Sequence, residues 1–161
     1  MILVTGGTGL VGCHLMYHLL THNRKVVALR RESSDLNPVK KVFKSYTTNY
    51  ESYLKKIDWI IGDINDIDSI SNAFQNIDEV YHCAAFISFE SSDLEIMKKI
   101  NVEGTANMVN CSIDFKVKKF CYVSSIAAIG LSTNEFTDEN TEWIKTSNPY
   151  SNTKKDAEME V

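Results

Sequence analysis

The chain opens on an apolar run, Met1 to Val4. It then passes through Thr5-Gly6-Gly7-Thr8-Gly9-Leu10-Val11-Gly12 into an apolar-rich helical stretch, Leu10 to Leu20. Glycines at this spacing between a strand and a helix leave few folds open, because they belong to the first βαβ unit of a doubly wound α/β sheet. Gly6 permits a tight turn, Gly9 leaves the backbone open to close approach, and Gly12 lets the helix pack tightly on the strand. The unpaired N–H groups at the helix start, with the helix dipole behind them, favour a phosphate there. The pattern predicts a pyrophosphate cradle for a dinucleotide; a glycine-rich turn without ligand is the competing account.

The rest of the chain keeps the same alternation. Apolar runs predict strands at 1–4, 25–29, 57–61, 79–83 and 119–123. Helical patterns occupy 10–22, 67–75 with Asp66 as N-cap, 93–111, and a last segment from Pro149, whose fixed φ suits a first helical position. Residues 30–53 read as polar and irregular with short helices near 38–43 and 50–55, and 131–148 as a polar loop. Alternation of this kind gives right-handed crossovers: a parallel sheet with helices on both faces, in three layers. The length of 161 residues suits one domain, 1–161, with no linker or repeat.

Charge and cysteine usage exclude other classes. The formal net charge is −4, so no nucleic-acid footprint is visible. The basic clusters Lys40-Lys41-Lys44 and Lys116-Lys118-Lys119 read as solvated faces. Met1 already belongs to the first strand, so no signal peptide is expected, and no apolar run spans a membrane; both point to a cytoplasmic protein. Cys13, Cys83, Cys111 and Cys121 lack metal-type spacing and read as reduced core or near-core thiols, Cys83 and Cys121 within buried strands. His14, His18 and His22 share a helix face. They read as a solvent-facing stripe rather than a metal site, since no carboxylate or cysteine completes a ligand set.

Four further stretches bear on chemistry. Tyr150 and Lys154 stand four apart on a helix and share a face. A lysine cation stabilises a phenolate and lowers a tyrosine's proton affinity, which otherwise suits proton transfer poorly at neutral pH. Ser124 and Ser125 end the strand at 119–123, where ligands of such sheets bind. Ser125 reads as a hydrogen-bond partner for a substrate carbonyl and Ser124 as a loop cap. Ala84 and Ala85 leave room for a flat ring after the fourth strand. Asp63 would accept a hydrogen bond from an adenine amino group, or simply serve a turn. Gly104 inside a helix needs a packing reason, since glycine there costs about 1 kcal/mol against alanine. Strand two ends in Leu29-Arg30-Arg31. Arginine there suits the 2′-phosphate of NADP, whereas an acidic residue would select NAD; Lys40 or Lys41 would add charge nearby.

With these pieces in order the chain resembles the extended short-chain dehydrogenase/reductase family, also called NAD-dependent epimerase/dehydratases. The matching motifs are Thr5-Gly6-x-x-Gly9-x-x-Gly12, Gly62-Asp63-Ile64, His82-Cys83-Ala84-Ala85, Asn101-Val102-x-Gly104-Thr105, Tyr122-Val123-Ser124-Ser125 and Tyr150-x-x-x-Lys154. The resemblance implies a Rossmann-type fold with an NADP or NAD cofactor, NADP being favoured. It implies Tyr150 as general acid/base, Lys154 on the nicotinamide ribose, and Ser125 orienting the carbonyl or hydroxyl. Asn101 would hold the site's architecture. Gly6, Gly9, Leu10, Val11 and Gly12 would cradle the pyrophosphate, with Asp63 and Ile64 flanking the adenine. Leu29-Arg30-Arg31 looks more like dihydroflavonol reductases and 3β-hydroxysteroid dehydrogenases than nucleotide-sugar epimerases.

The implied activity is hydride transfer to a carbonyl or from an alcohol. Alternatives are a sugar-nucleotide epimerase or dehydratase of the same fold and a non-catalytic dinucleotide-binding module. The family continues past the tyrosine–lysine helix into a substrate lobe, and the chain ends seven residues after Lys154. The expectation is therefore an amino-terminal portion, inactive alone, and robust turnover by the 161-residue chain would refute it. Family members often pair through the long helix and the tyrosine–lysine helix, so a homodimer is a further expectation.

Overall fold

The computed structural model describes residues 1–129 and 137–161. Five strands, β1 (Ile2–Thr5), β2 (Val26–Arg30), β3 (Ile57–Ile61), β4 (Glu79–His82) and β5 (Lys119–Tyr122), form one sheet in the order β3-β2-β1-β4-β5. Every pairing is parallel, with Ile2 beside Val26 on one side and Glu79 on the other. The helices are α1 (Leu10–Thr21), α2 (Asn37–Tyr46), α3 (Tyr50–Leu54), α4 (Ile67–Ser71), α5 (Leu94–Met97), α6 (Gly104–Asp114) and α7 (Pro149–Glu160). Residues 137–148 hold no helix or strand, and the remainder of the polar loop expected at 131–148 lies outside the described residues.

Alternate strand residues feed two separate cores, which makes the three layers. Ile2, Val4, Val26 and Ala28 pack under α1 and α2 with Met16, Leu20 and Phe43. Leu3, Val27, Leu29 and Val80 pack on the opposite face with Ile70, Phe74 and Met108. A strand covered on both faces has no solvent side, which is why Ile2–Val4 read as an unbroken apolar run and all four residues of β1 are buried. Asp66 caps α4 as expected, its carboxylate accepting from the Ser69 amide.

The helix expected at 67–75 is α4 as far as Ser71 and a 3₁₀ turn over Asn72–Phe74, and two further features differ from the sequence reading. The helix expected at 93–111 comes as α5, a π-helical segment over Lys98–Glu103, and α6 running on to Asp114. Cys121 is exposed rather than buried. β5 lies at the margin of the described sheet, and only its Phe120 and Tyr122 side meets packing, Phe120 against the second core. The chain turns back at β1: β2 and β3 build to one side and β4 and β5 to the other. This reversal opens a crevice at the carboxyl ends of β1 and β4.

Candidate active site

The crevice is a cavity of about 230 Å³. Its walls include Gly6, Gly9, Arg30, Asp63, Ile64, Ala84 and Ala85, so most of the expected cofactor residues come together from four separate segments. Gly6 adopts φ +65°, and a Cβ there would lie 2.6 Å from the Ala84 nitrogen. Side chains rarely adopt that conformation, so the turn demands glycine. A Cβ on Gly12 would overlap the Gly6 carbonyl, and the Gly9 amide donates to that carbonyl at 2.9 Å. Gly9 is the N-cap of α1 and brings no side-chain cap bond. Leu10 and Val11 carry the open first turn with their side chains exposed, 75% and 53%. That turn offers free amides and the positive end of a twelve-residue helix.

The adenosine side of the cavity has its own geometry. Asp63 Oδ1 accepts from the Asn65 backbone amide at 2.9 Å and from Asn65 Nδ2 at 3.3 Å. Asn65 Oδ1 is buried without a hydrogen-bond partner in the cavity wall. Arg30 folds back so that Nη1 donates to the carbonyls of Arg31 (3.2 Å) and Glu32 (3.4 Å), leaving a buried Nε without a partner. Buried polar groups are normally satisfied, and these two atoms are free to bond a ligand in the cavity. Glycines without room for a Cβ, an uncapped helix start and two orphaned polar atoms around one cavity fit a dinucleotide. Lys40 and Lys41 are exposed on α2 and take no part in the cavity wall. Asn65, Thr8 and Ser34 line it and were not singled out from sequence; Asn65 was the legible one, two residues past Asp63 in an aspartate turn.

Tyr150, Lys154 and Ser125 lie beyond the cavity wall, on α7 and at the end of β5. The Asn148 carboxamide caps α7, accepting from the Tyr150 amide at 3.0 Å and the Ser151 amide at 3.4 Å. Ser151 donates to the Ala127 carbonyl at 2.6 Å. Ser124 donates to Glu158 at 2.5 Å, so the end of β5 is tied to α7. Lys154 is 1% exposed, donates to the Val123 carbonyl at 2.9 Å, and sits 4.1 Å from the centre of the Tyr122 ring. Burial pushes its pKa down to about 8, with Glu158 and Cys83 opposing. Ser125 Oγ accepts from the Ala127 amide at 3.1 Å, capping the short turn Ile126–Ala128, and its proton remains available to donate. Tyr150 meets Phe89 edge-on with ring centres 6.4 Å apart.

Asn101 lies in the π segment and is 1% exposed. Its carboxamide accepts from the Phe86 amide (2.8 Å) and donates to the Phe86 carbonyl (2.9 Å) and to Thr153 (3.2 Å). π-Helical segments recur at functional sites, and this one joins the loop after β4 to α7. The packing reason expected at Gly104 is Ile64: a Cβ there would meet Ile64 Cδ1 at 2.6 Å. His14 is half-buried with Nδ1 2.7 Å from the Tyr46 hydroxyl, while His18 and His22 are exposed. Among the described residues no group of three metal-ligating side chains occurs, and no helix is long and apolar enough to cross a membrane.

A parallel sheet with a glycine turn at its reversal point defines a nucleotide-binding protein of the Rossmann type. The chain belongs to the NAD-dependent epimerase/dehydratase family, whose profile matches residues 2–161. It is 36% identical over 128 residues to a putative dihydroflavonol 4-reductase from Synechocystis sp., a match covering 80% of this chain and 33% of that protein. It is 31% identical over 175 residues to a dTDP-D-glucose 4,6-dehydratase from Dictyostelium discoideum, covering 98% of this chain and 38% of the relative. Among solved structures, UDP-glucose 4-epimerase from Bifidobacterium longum in complex with NAD+ and UDP superposes with a TM-score of 0.80 at 25% identity. That match covers 98% of this chain and 47% of the epimerase. The chain thus spans about a third of the length of these curated relatives.

Proposed function

We propose that the chain is the cofactor-binding part of an NAD(P)-dependent oxidoreductase that moves a hydride between a nicotinamide and a carbonyl or alcohol. The observation that carries this reading is Lys154: a fully buried ammonium one helical turn after Tyr150, held at the carboxyl end of β5. Burying an unpaired cation is costly, and a fold retains one where it serves a charge that arrives with ligand or reaction.

The cofactor would lie with its pyrophosphate at the first turn of α1, its adenosine by Asp63, Ile64 and Asn65, and its nicotinamide half past Ala84 and Ala85. Bound there it supplies the hydride acceptor or donor. Tyr150 gives its proton to the substrate oxygen in the reducing direction and takes it back in the oxidising one. Lys154 stabilises the resulting phenolate and binds the nicotinamide ribose. Ser125 donates its free hydroxyl proton to the same substrate oxygen and orients it. The Arg30 Nε without a partner favours NADP, because it would meet a 2′-phosphate.

Calorimetric titration with NADPH and NADH, with Arg30→Ala in parallel, tests the cofactor site. Tighter NADPH binding that disappears in the variant is the expected outcome, and failure to bind either cofactor refutes the reading. A second reading, epimerase or dehydratase on a sugar nucleotide, is favoured by the similarity to the dehydratase and the epimerase reported above. Preference for NADH and turnover without net cofactor consumption would select it.

A further inference from the structure

We propose that His82 is a positioning residue joining the glycine turn to the Tyr150 helix through a hydrogen-bond chain of fixed direction: Ala84 to Thr5 to His82 to Thr105 to Asn101. The assignment of function to its two ends rests on the cofactor and catalytic reading above; the chain itself does not.

The direction follows from groups that have no choice of role. His82 is fully buried, 0% exposed, with Nδ1 2.6 Å from Thr5 Oγ1 and Nε2 3.0 Å from Thr105 Oγ1. At one end, Thr105 lies 2.6 Å from the Asn101 carbonyl, which accepts only, so the Thr105 proton is spent there. Thr105 Oγ1 therefore accepts from His82, and Nε2 carries the ring's proton. A neutral ring has one N–H, so Nδ1 accepts from the Thr5 hydroxyl. At the other end, the Ala84 amide donates only, to Thr5 Oγ1 at 3.2 Å, and that oxygen is left free to accept it. For the neutral ring one proton arrangement satisfies all four contacts. A second proton would sit on Nδ1 and turn that ring nitrogen into a donor to Thr5 Oγ1, leaving the Thr5 hydroxyl proton without its acceptor and the chain without its single direction. Burial and the Lys154 cation nearby oppose that protonation, holding the ring's pKa down to about 3.

Both ends reach the working parts. Ala84 lines the cavity, and its nitrogen is what a Cβ on Gly6 would strike. From Asn101 the carboxamide bonds Thr153, which donates to the Tyr150 carbonyl at 3.0 Å. His82 thus sets the spacing between the dinucleotide turn and the helix bearing Tyr150.

Three measurements on the 161-residue chain decide this. Nitrogen-15 NMR of the wild-type imidazole should show Nε2 protonated and Nδ1 bare at neutral pH; the opposite tautomer overturns the proposal whatever the variants do. His82→Asn keeps an acceptor where Nδ1 stands, and His82→Gln keeps a donor where Nε2 stands. By hydrogen exchange, His82→Asn should leave the Ala84 amide within threefold of wild type and speed exchange in α7 tenfold or more. His82→Gln should do the reverse. Equal loosening of both regions by both variants, or none by either, overturns it. A variant that fails to fold leaves the tautomer to decide. Titration of the wild type with NADPH and NADH stands apart: binding of neither removes the cofactor reading while tautomer and exchange still judge the chain.

Discussion

Lys154 and His82 are both polar, both essentially excluded from water, and held by opposite strategies. His82 is neutral and fully bonded, whereas Lys154 has a carbonyl and a ring face but, among the described residues, no carboxylate within ion-pair distance. Replacing a buried, poorly paired charge by an apolar chain of similar length is often neutral or stabilising. Lys154→Met should therefore keep or raise the thermal midpoint while weakening cofactor binding at least tenfold, read by calorimetry beside thermal unfolding. A lowered midpoint would mean that the ammonium has a structural role. His82 sets a pH dependence. Its pKa falls from 6.5 unfolded to about 3 folded, so the folded state binds fewer protons between those values. Stability from this group is complete above pH 6.5 and is lost as pH falls toward 3, at up to about 1.4 kcal/mol per pH unit. Urea unfolding between pH 7 and 4 should show that slope, and His82→Phe should flatten it.

At the scale of elements, the helix from 93 to 114 shows what patterning reveals and what it hides. The apolar strand runs, the Asp66 cap, the Pro149 start and the glycine turn are local signals, and each stands within a residue or two of its sequence position. The cavity residues were legible because topology brings the carboxyl ends of neighbouring strands together. The π segment at Lys98–Glu103 was not legible: shifting backbone bonds by one residue leaves no mark in composition. The His82 chain was hidden for a related reason, since Thr5, His82 and Thr105 meet only after three elements have packed. Gly104 shows the two levels in opposition. Helix propensity alone favours Gly104→Ala by about 1 kcal/mol. A Cβ there would meet Ile64 Cδ1 at 2.6 Å and Cγ1 at 2.8 Å, and Ile64 is itself buried beneath the cavity. The clash should win: Gly104→Ala is expected to destabilise by about 1–2 kcal/mol in chemical denaturation. Gly104→Ala combined with Ile64→Val should recover part of that loss.

On the scale of the whole molecule the two cores cover the sheet unevenly, and the cysteines report it. α1 and α2 shield one face over β1 and β2, but the Lys119 and Cys121 side of β5 meets solvent. Cys13 and Cys111 are buried, Cys83 half-buried in the cavity wall, and Cys121 exposed. Thiolate is the reactive form. Burial pushes Cys13 and Cys83 up to about 11 and raises Cys111 as well, so at pH 8 these three are almost wholly protonated. A thiol reagent should therefore modify Cys121 fast and the other three at least tenfold more slowly, with all four reacting in denaturant. Cys121→Ser should remove the fast phase and leave the rest unchanged. Saturating cofactor should slow Cys83 further, because it lines the cavity that the cofactor fills, and leave Cys121 untouched. Protection of Cys121 instead would place the ligand on the open side of β5, away from the glycine turn, and would overturn the cofactor placement argued from Gly6, Gly9 and Ala84.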